Sequence, residues 1–70
     1  MYRFLIVIEK AEGNYSAYSP DLPGCVATGS TRDETEQNMH SAIEFHIQGL
    51  QEDKIPIPKT HSFAEYVLFP

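Results

Sequence analysis

Apolar and polar positions alternate along residues 2–30, with the two-residue period of β-strands. In residues 2–9 both faces of the alternation are apolar at the centre, which is typical of an interior strand. Residues 10–14 carry the Gly and Asn of a hairpin connection, so residues 15–19 are predicted to form a second, antiparallel strand. Pro20 must end that strand, because proline has no N–H for the ladder. Small and β-branched residues at 25–30 predict a third strand and hence a β-meander.

The next segment has a helical period. Thr31 and Glu34 form a T-x-x-E capping box, in which Thr31 caps the first turn and Glu34 reaches back to the N–H of Thr31. The following positions share one arc of the helix at about 100° per residue: Met39, Ala42, Ile43, His46, Ile47 and Leu50. We predict a helix from Thr31 to about Gln51 that covers the sheet. His46 on this face is expected to be a hydrogen-bonded core residue, with a pH-sensitive contact as the alternative.

The rest of the chain predicts one more strand. Two prolines exclude helix from residues 54–60, and residues 62–68 alternate as a fourth strand. The predicted fold class is α+β, a two-layer βββαβ arrangement of an antiparallel meander, one helix and a final strand. Residues 1–70 are expected to form a single domain.

One face of this predicted sheet has no covering layer. Its apolar candidates are Leu5, Val7, Val26 and either Tyr15 or Tyr18. Phe45 lies about 120° from the centre of the buried helix face. Exposed apolar area of this size usually marks a protein interface, although a single exposed Phe is common. We expect Phe45, with Glu44 and Gln48 on the outward helix side, to bind a partner; the uncovered sheet face is the alternative surface for a partner or a dimer.

The length limits the stability of such a domain. A chain of 70 residues buries only about 60% of the surface that its unfolded form exposes, so its core is thin. A single Cys allows no internal disulfide, and self-association as a dimer or tetramer is the remaining common remedy. The N-terminal apolar stretch is too short for a secretory signal, and no run approaches the roughly 18 apolar residues of a membrane span. A cytoplasmic protein without a membrane partner is expected.

The charge balance is acidic, with a formal net charge of −5. No Lys/Arg cluster exists, which argues against direct binding of nucleic acid. Residues 33–53 contain six acids and no Lys or Arg. Such a segment suits a basic partner, although a solvated helix face that keeps the protein soluble is the favoured interpretation.

The stretch SPDLPGC, residues 19–25, is predicted to be a rigid corner. Pro20 and Pro23 each restrict one backbone φ, Asp21 can accept hydrogen bonds from nearby N–H groups, and Gly24 permits positive φ. Cys25 follows directly. A catalytic Cys needs a general base, and no histidine is paired with Cys25 in the sequence, so we interpret it as a small buried side chain.

Two catalytic or metal-binding alternatives have weaker support. Nucleases can arrange carboxylates around two metal ions, and the available acids are Glu9, Glu12, Asp21, the helix acids and Glu65. None lies at the centre of an apolar strand. A second possibility is the i, i+4, i+8 stripe Glu36, His40 and Glu44, whose spacing is also ordinary for an exposed helix flank. We predict no catalytic residue, no cofactor and no resident metal.

Several of these motifs together resemble the HicB family of antitoxins. The resemblance rests on residues 15–25, Gly29 to Thr31 before the capped helix, Ala42-Ile43, and the segment IPIP at 55–58. It implies a βββαβ domain described as a partial ribonuclease H fold. It also implies a partner, HicA, a small basic toxin that cleaves RNA. The chain departs from the family pattern at residues 51–54, which lack the expected glycine after the helix.

We therefore expect a non-enzymatic antitoxin of a type II toxin-antitoxin system, which binds and occludes a HicA-type toxin. Typical full-length HicB proteins carry a C-terminal DNA-binding module after the domain that this chain resembles. That module would begin at about Pro70. Transcriptional autorepression is accordingly not predicted. The alternative is an orphan HicB-like oligomer that binds another protein or a small ligand.

Overall fold

A computed structural model describes residues 2–70 and contains three strands followed by one helix. The strands are β1 (Val7–Lys10), β2 (Tyr15–Tyr18) and β3 (Val26–Gly29), and the helix is α1 (Arg32–Glu52). The α+β class, the meander and the helix are confirmed. The first strand is shorter than predicted, because regular pairing begins at Val7 and not at residue 2. Met1 lies outside the described residues.

The three strands form an antiparallel sheet in the order β1-β2-β3. One cross-strand row is Ile8, Ala17 and Ala27, which belong to the core that packs under α1. The next row is Val7, Tyr18 and Val26, and side chains alternate between faces, so this row lies on the face away from the helix.

The core is small and lies between the sheet and α1. Its buried apolar members are Ala17, Leu22, Cys25 and Met39. Partly buried side chains pack around them: Phe4, Ile6, Ile8, Ala27, Ala42 and Ile43. Thr35 is also fully buried and donates a hydrogen bond from Oγ1 to the carbonyl of Thr31 at 2.7 Å. A core this thin leaves most of the chain's large apolar side chains partly or fully exposed.

The start of α1 follows the predicted capping box with one difference. Thr31 has extended backbone angles, and its Oγ1 accepts a hydrogen bond from the N–H of Glu34 at 3.0 Å. The Glu34 carboxylate accepts a hydrogen bond from the N–H of Ser30 at 3.0 Å. The donor is thus one residue earlier in the chain than the predicted donor, Thr31. Asn38 adds a bond from Nδ2 to the carbonyl of Thr28 at 2.8 Å, which ties the second turn to β3.

The end of α1 is a Schellman motif without glycine. The N–H of Ile55 donates to the carbonyl of Leu50 at 2.8 Å, and the N–H of Lys54 donates to that of Gln51 at 3.1 Å. Lys54 has a φ of 56°, in the left-handed region that glycine usually occupies. The helix therefore ends as a glycine-terminated helix does, although a lysine fills that position.

The predicted corner at residues 19–25 is confirmed and consists of two consecutive turns. The N–H of Leu22 donates to the carbonyl of Ser19, and the N–H of Cys25 donates to that of Leu22, each at 3.1 Å. In the second turn Pro23 precedes Gly24, whose φ of 83° is that of a type II turn. Both turns direct their last residues, Leu22 and Cys25, into the core.

The predicted final strand at 62–68 is wrong for the single chain, because residues 53–70 contain no strand in the structure. Ser62 in this segment is bound to Asp21, and residues 63–70 beyond it are exposed. The radius of gyration is 13.6 Å, whereas a compact chain of this length has about 11 Å. A strand needs a hydrogen-bonded neighbour, and the structure gives the segment none within residues 2–70.

Candidate functional site

The outward side of α1 carries the three residues predicted to bind a partner, and the structure distributes them over two grooves. Phe45 is 77% exposed. It lines an open groove of about 430 Å³, here called the Phe45 groove. Glu44 and Gln48 line a different groove of about 460 Å³ on the other flank of the helix, here called the Tyr2 groove. The predicted residues thus share one helix surface but do not form a single pocket.

The Phe45 groove lies between α1 and the corner. Its lining residues are Gly24, Cys25, Val26, Ala42, Phe45, His46, Gly49 and Leu50. The type II turn brings Gly24 to this position, and the absence of a side chain at Gly49 deepens the groove beside Phe45. Val26 is 65% exposed. Val26 belongs to the outward row of the sheet, so Phe45 is the exposed apolar group that the helix contributes. It stands beside a mainly apolar floor, which suits an apolar side chain from a protein partner.

His46 lies at the rim of the Phe45 groove. It was predicted as a core residue among the apolar positions of the helix, but the structure leaves it half-buried. The reason is the narrow sheet, since the buried stripe of α1 is covered at Met39 and Thr35 and opens toward the C-terminal half of the helix. His46 is thus available to a partner that occupies the groove.

The Tyr2 groove combines an apolar floor with a polar rim. Tyr2 and Phe4 stack with ring centroids 6.4 Å apart and form one wall. Ile43 and Ile47 of the helix lie at the base, with Glu44, Gln48, His40 and Gln51 along the rim. Carboxylate and amide groups in this arrangement can accept hydrogen bonds from Lys or Arg side chains of a partner.

The uncovered sheet face is a third candidate surface. Its central row is Val7, Tyr18 and Val26, with Tyr18 more than a third exposed. Sequence alone left open whether Tyr15 or Tyr18 faces outward. The register places Tyr15 on the same side as Ala17 and therefore assigns Tyr18 to the uncovered face.

The corner residues have structural roles. Burial raises the pKa of the Cys25 thiol, so the reactive thiolate is disfavoured there. Ser19 is buried and donates from Oγ to the carbonyl of Leu5 at 2.9 Å, which fastens the corner to the segment preceding β1. These observations agree with the interpretation of SPDLPGC as a rigid corner that fills the core.

Asp21 makes a contact that the sequence did not predict. Its carboxylate accepts hydrogen bonds from Ser62, at 3.1 Å from the hydroxyl and 3.3 Å from the backbone N–H. Partial desolvation raises the pKa of Asp21, but the hydrogen bonds from His61 and Ser62 and the nearby His61 side chain outweigh it, so the net pKa lies below the ordinary value. The Asp21–Ser62 contact joins residues 41 positions apart and holds the C-terminal segment against the corner.

The stripe Glu36, His40 and Glu44 does not converge on one point. Glu36 and His40 line an apolar depression beside Phe4 and Ile6, whereas Glu44 lies in the Tyr2 groove. Within residues 2–70, no group of three or more His, Cys, Asp or Glu side chains is arranged to hold a metal ion. The same residues contain no helix that is long and apolar enough to cross a bilayer.

The exposure of the C-terminal segment was also not predicted from the sequence. We call residues 63–69 the C-terminal arm. Phe63 is 88% exposed and Leu68 is 96% exposed, and Tyr66, Val67 and Phe69 are similarly open to solvent. The alternation was visible in the sequence, but it indicates a strand without indicating which edge the strand would join.

Comparisons with known proteins agree with this geometry. A family model described as "HicB_like antitoxin of bacterial toxin-antitoxin system" matches residues 4–70. Among solved structures, a chain of a "HicA3 and HicB3 toxin-antitoxin complex" superposes with a TM-score of 0.68 at 27% sequence identity, covering 84% of this chain and 72% of that one.

Curated relatives come from phage, bacteria and archaea. A 14.9 kDa protein of the rep-hol intergenic region of Haemophilus phage HP1 is 40% identical over 62 residues, which cover 89% of this chain and 47% of the phage protein. A UPF0150 protein of Synechocystis sp. is 38% identical over 60 residues, covering 84% of this chain and 76% of that protein. This chain thus spans about half the length of the phage relative.

The sheet, the single covering helix and the corner define a small two-layer α+β domain. The chain belongs to the HicB-like antitoxin family.

Proposed function

We propose that this protein is an antitoxin of a type II toxin-antitoxin system, which binds a small basic HicA-type toxin and occludes its RNA-cleaving site. The observation that carries the proposal is the match of residues 4–70 to the HicB-like antitoxin family. The likeness to a chain from a HicA3–HicB3 complex supports a toxin as the partner. In this role the protein works in the cytoplasm, as a homo-oligomer and without catalysis of its own.

The charge distribution supports a basic partner. The protein carries a formal net charge of −5. Asp33, Glu36, Glu44 and Glu52 are exposed along α1. A surface of one sign accelerates the encounter with a partner of opposite sign and disfavours partners of like sign. These acids steer the toxin toward the helix side of the domain.

The Phe45 groove supplies the apolar part of the proposed interface. Exposed aromatic side chains next to apolar depressions are the positions that usually dominate binding energy. Phe45 meets this description on one flank of α1, and Glu44 and Gln48 of the Tyr2 groove add polar contacts on the other. A toxin that lies across the outward side of the helix contacts both grooves at once.

The proposal predicts a selective loss of binding in Phe45→Ala. We expect its toxin affinity to fall by about 30-fold or more, because a central aromatic contributes about 2 kcal/mol or more. The measurement is calorimetric titration with a HicA-type toxin that has been made catalytically inactive by substitution. Tyr18→Ala is the matched control, since Tyr18 is an exposed aromatic on the opposite face of the sheet.

Binding that weakens in Tyr18→Ala and not in Phe45→Ala would move the toxin site to the uncovered sheet face. If the native protein is recovered from its host without a basic partner, the antitoxin proposal fails. The alternative is then an orphan HicB-like oligomer, which the exposed apolar arm favours because such a segment needs a protein surface to cover it.

A further inference from the structure

The C-terminal arm is an apolar strand without a sheet. Its two alternating faces are Phe63, Glu65, Val67 and Phe69 on one side, and Ala64, Tyr66 and Leu68 on the other. Both faces carry large apolar groups, which is the composition of a strand covered on both sides. In the single chain all five large apolar side chains of the arm are exposed.

The free edge of β1 complements the arm. In the order β1-β2-β3, β1 pairs with β2 on one side, and residues 2–70 provide no strand on the other. The apolar side chains along this edge, Leu5, Ile6, Val7 and Ile8, are half-buried and not fully covered. Unpaired N–H and C=O groups along a strand of this kind are a template for pairing with another chain.

An open cleft of about 850 Å³ lies beside this edge. Ile6, Val7, Ile8 and Lys10 line one wall, and Arg32 and Glu36 of the helix line its end. Ala64, Glu65 and Tyr66 of the chain's own arm border the opposite side. The cleft therefore separates the arm from β1 by an open space along the edge.

The start of the arm is held in place. Ser62 is bound to Asp21 in the corner, and the corner is bound to Leu5 through Ser19. The arm thus leaves the domain near the beginning of β1, with the preceding residue, Ser62, held in place and the arm residues exposed. A segment that is positioned at its base and exposed beyond it is suited to exchange between two copies.

We propose that two copies of this chain exchange their C-terminal arms, each arm pairing as a β-strand with the free β1 edge of the other copy. Reciprocal exchange closes under two-fold symmetry, so both arms and both edges are used. The cations Lys10 and Arg32 at the cleft are complementary to Glu65, the one acid of the arm.

The buried area is sufficient for a stable dimer. The three aromatic side chains of the arm bury about 150–250 Å² each when fully covered, and Val67 and Leu68 add to this. The total reaches the roughly 800 Å² per partner of a standard interface. The inference does not depend on toxin binding, because it concerns the sheet edge and not the outward side of α1.

The first test compares oligomeric states by light scattering and sedimentation. The wild-type chain is expected to be a dimer, and Tyr66→Lys with Leu68→Lys is expected to raise the dimer dissociation constant by at least about 100-fold, since each of two arms loses central apolar contacts. The control is Phe45→Lys, an equally exposed position outside the arm, which keeps the dimer. Circular dichroism checks that each variant retains its helix.

A second test establishes which chain supplies the arm. Lys10 and Tyr66 line the same cleft, so the double variant Lys10→Cys, Tyr66→Cys is oxidised at micromolar concentration. Exchange gives a covalent dimer on a non-reducing gel. A chain that forms the disulfide within itself, a wild-type protein that is monomeric at about 100 µM, or a dimer that the arm substitutions leave intact would each overturn the proposal. None of these outcomes bears on the toxin affinity of Phe45→Ala.

Discussion

At the residue scale, Gly29 sets the distance between the sheet and the helix. A Cβ at this position would lie 2.6 Å from Oγ1, 2.8 Å from the backbone nitrogen and 3.0 Å from the Cα of Thr35. Two of these three atoms are backbone, so no rotamer change relieves the overlap. Thr35 in turn is fully buried and bound to Thr31. The first turn of α1 can pack on β3 because residue 29 has no side chain.

Gly29→Ala is accordingly expected to lower the free energy of unfolding by about 1–3 kcal/mol, as overpacked cores do. Gly49→Ala is the matched control, because nothing lies within 4 Å of its Cβ and the residue is inside the helix. There alanine is expected to stabilise by about 0.5–1 kcal/mol. The measurement is urea unfolding at one fixed protein concentration. Equal effects of the two substitutions would contradict the close approach at Gly29.

At the scale of elements, α1 is defined by its ends more than by its apolar stripe. The start has the Thr31 cap and the Ser30–Glu34 bond, and the end has both hydrogen bonds of a Schellman motif. The T-x-x-E pattern predicted the start of the helix. The end of the helix was not predicted, because lysine disfavours the left-handed conformation that Lys54 adopts.

Lys54→Gly tests this account of the helix end. A non-glycine residue in the left-handed region costs roughly 1 kcal/mol, so glycine is expected to raise the free energy of unfolding by up to about that amount. Lys54→Ala keeps the strain and removes the charge, and we expect it to leave stability nearly unchanged. Thermal unfolding of the three proteins separates the effects, with a gain of about 4–8 °C per kcal/mol for a domain of this size. A gain in the alanine variant alone would point to charge and not to backbone conformation.

At the scale of the whole molecule, the Asp21–Ser62 contact connects the corner to the C-terminal segment. The folded-state pKa of Asp21 lies below its ordinary value of 3.8. The carboxylate form therefore stabilises the contact above the ordinary value, and this contribution is lost as the pH falls through the lowered folded pKa. Protonation removes the charge from the carboxylate that accepts both hydrogen bonds of Ser62.

We expect the amide of Ser62 to lose its hydrogen-bonded chemical shift in the wild-type protein only as the pH falls below 3.8, the ordinary pKa of this carboxyl group. In Asp21→Asn the same amide is expected to show no such titration, because the side chain has no acidic proton. The measurement is a series of proton–nitrogen correlation spectra from pH 7 to about pH 2, which extends well below the ordinary pKa of the carboxyl group. A wild-type Ser62 amide that stays unchanged over this range would contradict the contact.

The elements and the family were predictable from sequence because their determinants are local. Three features depend only on residues a few positions apart. They are the cap at Thr31, the turn at Pro23-Gly24 and the alternation of β1 to β3. The predicted partner residues Phe45, Glu44 and Gln48 are exposed on α1, and their division between two grooves depends on what lies beside each flank of the helix.

Tertiary structure decided what local patterns leave open. It assigned Tyr18 to the uncovered face, because strand register depends on pairing across the sheet. It also left residues 62–68 without a neighbouring strand, although their alternation is that of a strand. The physical reason is common to both cases: periodicity records which side chains share a face, whereas the partner of a strand is set by contacts between residues distant in sequence.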